Sequence, residues 1–431
     1  MFLLRSGIIT IIQWQARCII KRYQPKIIAV TGSVGKTSTK DAVYTLISEQ
    51  AHVRRSRKSF NSGIGIPLTI IGAPTGWRDI LKWLRNMIKG FWVMLRPWGA
   101  YPEWLVLEVG VGKPGDMDEL KTWVRPDMVV VSAFGSLPSH VEFFEDEEAV
   151  WAEESAIIDV LKPNGVLVLN RDDERVYALK KRRTENQRVI TFGFHEDADI
   201  AISNYAYISA DGRPVGTRAD LVWRNTAQSV EQTATLGKSF YYALAAAYAV
   251  YTDLFGAHPH LQDIVDTLVP PPGRLRVLEG VLDTVLIDDT YNSSPPALMH
   301  ALDTLKELDT KGRKIAIIGD MLELGKFSDD AHRDAGIRAA TFVDYLITVG
   351  PRAELCSQAA LQHGLPQSIV FHAADADMAL AHMLDIIEPA DTILVKASQG
   401  VRLEKVSYGL LKDKERRHDL LVRQEKEWLD K

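Results

Sequence analysis

The fold turns on residues 26–50, "KIIAVTGSVGKTSTKDAVYTLISEQ". A short apolar run, Lys26–Val30, enters a loop with glycines at 32 and 35. A stretch with helical spacing follows. Gly32, Ser33, Val34, Gly35, Lys36, Thr37 and Ser38 form a shortened phosphate-binding loop, with two residues between the glycines where the general pattern has four. Glycines let backbone N–H groups turn toward a phosphate, and the following helix presents its positive N-terminus. Lys36 can neutralise the outer phosphate oxygens, and the Thr37 hydroxyl can sit on Mg²⁺. The plain alternative is a glycine turn that only links strand to helix. The Gly-x-x-Gly-Lys-Thr order between strand and helix counts against it.

Outward from the loop, apolar runs recur at 104–110 ("WLVLEVG"), 127–135 ("DMVVVSAFG") and 164–173 ("NGVLVLNRDD"), with helical segments such as 146–161 between them. Buried strands alternating with helices predict a parallel α/β sheet. Glu108 closes one of these runs. A carboxylate at the carboxyl end of a neighbouring parallel strand faces the same crevice as the loop, which suits an oxygen-loving Mg²⁺; alone it would equally be a strand-end surface charge. Residues 199–223 alternate and turn at "ADGRP", the pattern of a small antiparallel region. Three prolines at 270–272 mark the best linker. Beyond it, runs at 284–292, 313–321, 344–350, 368–374 and 391–398 predict a second, Rossmann-like unit. The expected division is an N-terminal amphipathic helix over 1–24, an ATP-binding central domain over 25–270 and a C-terminal domain over 271–431.

At 431 residues the chain is too long for one ordinary core. Its 46% hydrophobic and 25% charged residues are those of a soluble globular protein. A net charge of −5 gives no global argument for nucleic acid. Two isolated cysteines, Cys18 and Cys356, exclude a disulfide framework and a thiolate zinc cluster. The N-terminal segment lacks an unbroken span of about 20 apolar residues and a small-residue cleavage site. It reads as a helix packed on the next domain or lying on a membrane surface. A second such segment, 77–98, carries Trp77, Ile80, Leu81, Leu84, Ile88, Phe91, Trp92 and Leu95 at helical spacing, with Arg78, Lys82, Arg85 and Lys89 on another side. It suits a membrane interface, or a helix packed on its own domain against 1–24.

Several stretches together resemble the Mur ligase family, and within it the branch that adds D-alanyl-D-alanine. They are "TGSVGKTSTK" (31–40), "FNSGIGIPLT" (60–69), "LEVGVGKPGDMDEL" (107–120), "PPPGR" (270–274), "IDDTYNSSPPALMHALDTL" (287–305), "IAIIGDMLELG" (315–325), "AHRDAG" (331–336) and "LVKASQGVRLEKV" (394–406). The resemblance implies that ATP phosphorylates a substrate carboxyl and that an amine attacks the acyl phosphate. It makes ATP and Mg²⁺ the cofactors, and a muramoyl-peptide-like carboxylate and a D-Ala-D-Ala-like amine the substrates. A monomeric cytoplasmic enzyme is expected, with 1–24 or 77–98 as the segments that would touch a membrane. Lys36, Thr37 and Glu108 then carry the phosphate and metal roles, and His140 matches a metal-site histidine. Arg274 matches an interdomain arginine near the phosphates, and Asp289 an aspartate facing the nucleotide. Asn292 and Pro295 continue that motif. Asn61, Lys396, Ser398, Gly400 and Arg402 fall in loops expected near substrate.

Three departures from the family pattern stand out. Only 25 residues precede Lys26, where the family carries a domain that grips the UDP end of its substrate. Glu154 aligns with a lysine that the family carbamylates to hold a second Mg²⁺; it would supply the same charge on a shorter stem, or belong to a solvated acidic face. "GKSFYY" (237–242) replaces an adenine-reading asparagine motif; tyrosine there could only stack or give one hydrogen bond. A different carboxylate substrate, or a nucleotide-binding regulator that has lost ligation, are the other readings these departures leave open.

Overall fold

Short runs of three to six residues, most of them aliphatic, form the first sheet's parallel strands: β1 (Lys26–Thr31), β2 (Val53–Arg55), β3 (Trp104–Glu108), β4 (Met128–Val131), β5 (Val166–Asn170) and β6 (Arg188–Gly193). In the computed structural model they are ordered β2-β3-β1-β4-β5-β6, all parallel. β1, β3, β4 and β5 are almost wholly buried, because helices cover both faces and an alternating pattern would have no polar side to serve. The structure describes residues 2–431 except 57–62, 77–78, 136–142, 259, 269, 426–427 and 429–431, with side chains undescribed also at 2–6 and 98. Asn61, Trp77, Arg78 and His140 therefore lie outside the described residues.

The sheet continues through β7 (Ile200–Ala210), β8 (Arg213–Trp223) and β9 (Thr226–Gln232). The expected turn at "ADGRP" is there: Asp211 and Gly212 both take positive φ, 51° and 70°, as a two-residue hairpin turn requires. The chain divides into two compact units, one comprising 1–203, 221–228 and 241–267, the other 204–220, 229–240 and 268–431.

The second unit holds β10 (Arg276–Glu279), β11 (Val285–Asp289), β12 (Lys314–Gly319), β13 (Tyr345–Val349), β14 (Val370–Ala373) and β15 (Thr392–Lys396). Their order is β10-β11-β15-β12-β13-β14, parallel apart from β10. The helical connections and parallel order make this the Rossmann-like unit anticipated from the strand–helix alternation. Its core includes Leu286, Ile317, Ile347, Ile393, Val395 and Val406.

The helices of the first unit include α1 (Phe2–Tyr23), α2 (Lys36–Ser48), α3 (Gly65–Ile71) and α4 (Ile80–Leu95). Among the described residues no helix is long and apolar enough to cross a membrane. Asp79 caps α4, its carboxylate accepting from the N–H groups of Leu81 (2.9 Å) and Lys82 (3.2 Å). α4 does pack on α1, with Gly90 against Gln15, and its narrow buried face of Trp83, Asn86, Gly90 and Val93 also meets the 74–76 segment, where Asn86 donates to the Pro74 carbonyl at 2.7 Å. The large apolar stripe that the spacing marks out points away, into solvent. Periodicity finds an apolar face without saying whether the protein buries it.

Gly90 explains how α1 and α4 come so close. A Cβ there would run into the Gln15 amide, whose Nε2 donates to the Met87 carbonyl at 2.8 Å. The Tyr23 hydroxyl lies 2.7 Å from the carbonyls of both Val93 and Arg96, meeting orphaned groups at the end of α4. In an open helix, Gly→Ala stabilises by about 1 kcal/mol. Here Gly90→Ala is expected to destabilise the first unit by about 1–3 kcal/mol through overpacking. Adding Gln15→Ala should recover part of the loss, as denaturant unfolding of the two variants would register.

Candidate active site

β1 ends at Thr31 and the chain must turn sharply into α2. Gly32 and Gly35 take φ of 122° and 85°, which L side chains rarely adopt. The loop is pinned to the end of β4: Ser33 and Val34 N–H groups donate to the Ala133 carbonyl at 2.7 and 3.1 Å, and the Ser132 hydroxyl donates to the Val34 carbonyl at 2.6 Å. A Cβ on Gly32 would meet Ser132 Oγ at 2.5 Å and the Ala133 carbonyl at 2.9 Å. Ser132 is thus a shaping residue that no sequence motif flagged; it sits in an ordinary "VVVSAFG" strand end.

Parallel register sets what surrounds the loop. Val30 lies opposite Glu108 and Thr31 opposite Val131, so β1, β3 and β4 discharge at one edge. Glu108 is 1% exposed. Its Oε1 accepts from the Thr37 hydroxyl at 3.1 Å, and its Oε2 lies 3.4 Å from the buried ammonium of Lys40 with no hydrogen bond of its own. Among the described residues no three His, Cys, Asp or Glu side chains cluster as a metal cage. A hydroxyl beside a carboxylate with an unsatisfied oxygen suits Mg²⁺, which takes few protein ligands and completes its shell with phosphate and water.

Glu154 is not on a solvated face. It is 4% exposed, near the end of the helix Glu147–Ser155. Its Oε1 is 3.2 Å from Lys36 Nζ and its Oε2 accepts from Ser33 Oγ at 2.6 Å, while its carbonyl takes the Thr31 hydroxyl at 2.9 Å. Lys36 also reaches the Gly32 carbonyl. Its neighbour Glu153 points elsewhere, accepting from the N–H groups of Gly115 (3.0 Å) and Met117 (2.9 Å). The structure therefore brings Lys36, Thr37, Glu108 and Glu154 together around one loop. The acidic segment contributes one carboxylate to it for a reason that residue spacing alone did not reveal.

The tyrosines of 237–242 are less available than the sequence suggests. Tyr241 is fully buried. Tyr242 donates to Asp172 Oδ2 at 2.7 Å and stands edge-on to Phe194, and burial pushes its phenol well above the usual range.

The second unit gathers another group. Lys396, 1% exposed, ends β15 opposite Asp289 of β11 and pairs with it at 2.7 Å; it also donates to the Asn292 carbonyl at 3.0 Å. Burial lowers the Lys396 pKa, with Asp289 opposing that fall. Asp289 Oδ1 accepts from the Leu275 N–H at 3.3 Å, and the Arg274 guanidinium lies over the Tyr291 ring at 4.2 Å. The Ser398 hydroxyl bridges the Leu322 N–H and the Ser293 carbonyl. Arg402 is tied to Glu404 at 2.5 Å and to the Trp428 carbonyl at 2.9 Å. Lys396, Ser398 and Arg402 were expected near substrate; their contacts here shape the loops around Asp289.

Asp288, beside Asp289, is fully buried, and desolvation raises its pKa to about 6 against hydrogen bonds from Ser407 (2.7 Å) and Thr290 (2.8 Å). A folded pKa above the unfolded one means stability present at low pH and lost as pH rises through about 6. Asp288→Asn should therefore gain on the parent protein between roughly pH 4 and 6 and hold that advantage above. Thermal unfolding across that range reads the difference; a constant offset would contradict the buried titration.

A glycine loop between a parallel strand and a helix, with a lysine, a hydroxyl and a buried acid at its mouth, makes the first unit a P-loop nucleotide-binding module. Residues 92–251 match the Mur ligase middle domain, and 273–399 the Mur ligase glutamate ligase domain. The chain belongs to the Mur ligase family. It is 26% identical over 408 residues to the UDP-N-acetylmuramoyl-tripeptide–D-alanyl-D-alanine ligase of Bacillus subtilis (strain 168), covering 94% of this chain and 79% of that protein. It is 24% identical over 411 residues to the Borreliella burgdorferi enzyme of the same name, with coverages of 94% and 79%. The crystal structure of MurF ligase from Thermotoga maritima in complex with ADP superposes with a TM-score of 0.76 at 25% identity, covering 95% of this chain and 84% of that one.

Proposed function

We propose that this chain is an ATP-dependent amide ligase that joins D-alanyl-D-alanine to a UDP-muramoyl tripeptide. The observation that carries the reading is the Lys36–Glu154 and Thr37–Glu108 pairing around the glycine loop. It supports phosphate chemistry at that loop, and the relatives named above supply the substrates. A carboxylate oxygen of the tripeptide attacks the γ-phosphorus and ADP leaves. The amine of the dipeptide then attacks the acyl carbon and phosphate departs, carrying that carboxylate oxygen, while the amine gives up a proton. No covalent enzyme nucleophile is needed; the protein's work is positioning and charge neutralisation.

In this reading Lys36 neutralises the β- and γ-phosphate oxygens, and the α2 N-terminus orients them. Thr37 and Glu108 hold Mg²⁺, with His140 as a further ligand; when bound, the ion offsets charge on the phosphates. Arg274 and Asp289 serve the nucleotide from their own unit, with Lys396 holding the Asp289 carboxylate in place. Glu154 takes over the charge of the family's carbamylated lysine, so ligation does not require CO₂. The Lys36–Glu154 ion pair keeps that carboxylate aimed at the loop.

The test is phosphate release from ATP with UDP-muramoyl tripeptide and D-alanyl-D-alanine, added singly and together. Release is expected only with both. Release with neither would mark an ATPase, and loss of the reading. Lys36→Ala should lower kcat about 10²–10³-fold, the usual cost of one such electrostatic contact. Glu154→Ala should lose about 10²-fold or more, and the parent rate should not respond to added bicarbonate. Near-normal turnover of Glu154→Ala would remove its metal role.

A further inference from the structure

α4 is built with three arcs. Leu81, Leu84, Ile88, Phe91, Trp92 and Leu95 occupy one arc of about 100° at 100° per residue, all of them exposed. Leu81, Trp92 and Leu95 are 71%, 67% and 76% exposed. Lys82, Arg85 and Lys89 form the next arc, also exposed, though Lys89 reaches back to the Gly72 carbonyl. The third arc, Trp83, Asn86, Gly90 and Val93, is the buried one: Gly90 meets Gln15 of α1, and Asn86 donates to the Pro74 carbonyl at 2.7 Å. A helix that merely packs on its own domain puts its apolar arc inward. Here the inward arc holds an asparagine and a glycine beside Trp83 and Val93, while six large apolar side chains face out.

α1 extends the exposed strip. Ile11 and Trp14 are 37% and 50% exposed, and the Trp14 ring lies 6.2 Å from that of Phe91. The contacts of Gln15 with Met87, and of Tyr23 with Val93 and Arg96, lock the two helices together. The strip is therefore presented by a rigid pair rather than a loose helix. Neither helix contains an acidic residue, whereas they hold seven lysines and arginines, in a chain whose net charge is −5.

We propose that the α1–α4 face docks on an anionic lipid surface. α4 would lie in the interface plane, with Leu81, Ile88, Trp92 and Leu95 among the acyl chains and Lys82 and Arg85 at the headgroups. The charge pattern selects this occupant. A second copy of the same face would bring its basic arc against an identical one, and no acid in either helix would offset the repulsion. Side chains this large left in water are costly, and tryptophan and basic residues along one apolar helix face are what a bilayer interface rewards. The inference is independent of the ligase reading, since none of these residues touches the phosphate loop.

The full chain is sedimented with phosphatidylcholine vesicles with and without phosphatidylglycerol, at low and high salt. Binding is expected to the anionic vesicles, weakened by salt, with tryptophan emission shifted to the blue and quenched by brominated acyl chains. Leu81→Glu/Trp92→Glu/Leu95→Glu should reduce partitioning about tenfold or more while ADP binding stays unchanged. Lys82→Glu/Arg85→Glu should remove the preference for anionic lipid. A full chain that stays in the supernatant with anionic vesicles at low salt overturns the proposal. So does a dimer that the triple variant dissolves without any lipid binding by the parent. Triple-variant binding equal to the parent's would likewise place the contact elsewhere.

Discussion

Everything in the first unit's site depends on one backbone constraint: the turn at Gly32 is clamped between β1 and the end of β4. Gly32 sits at φ 122° with Ser132 and Ala133 where a side chain would be. That closeness points Ser33 and Val34 N–H groups at the Ala133 carbonyl and starts α2 at Lys36. Because β1, β3 and β4 are parallel and in register, the same edge receives Glu108 from β3. Three separate stretches of chain thus meet without any one of them specifying the meeting.

The charges then organise themselves in two pairs. Lys36 takes Glu154 and Thr37 takes Glu108, with Lys40 buried behind the second carboxylate. Two buried acids beside one loop would repel if unpaired, so each is matched by a cation. The arrangement holds both carboxylates in fixed orientation. In the second unit Lys396 does the same for Asp289, though from beneath it, as a buried positioning group.

Much of this was legible in the sequence because it rests on short-range rules. Gly32 and Gly35 announce a phosphate turn, and aliphatic runs such as "WLVLE" announce doubly covered parallel strands. Glu154 was harder. Nothing in "EEAVWAEES" separates it from Glu147, Glu148 or Glu153; only three-dimensional packing shows that it alone reaches Lys36, while Glu153 turns to Gly115 and Met117. Tyr241 was legible as aromatic but not as fully buried. α4 is the sharpest case. Its apolar arc was visible in the spacing, yet the arc that packs was set by Gly90 meeting Gln15 of α1 and Asn86 meeting the Pro74 carbonyl, matches that no periodicity encodes.

The central claim is that the loop serves transfer of a phosphoryl group to a carboxylate, with amide formation from the resulting acyl phosphate. Labelling the tripeptide's terminal carboxylate with heavy oxygen tests it most directly. Ligation in the presence of ATP and D-alanyl-D-alanine should deliver one labelled oxygen to each phosphate released. Phosphate carrying only solvent oxygen would show that water, and not the carboxylate, attacks ATP, and the account would fail.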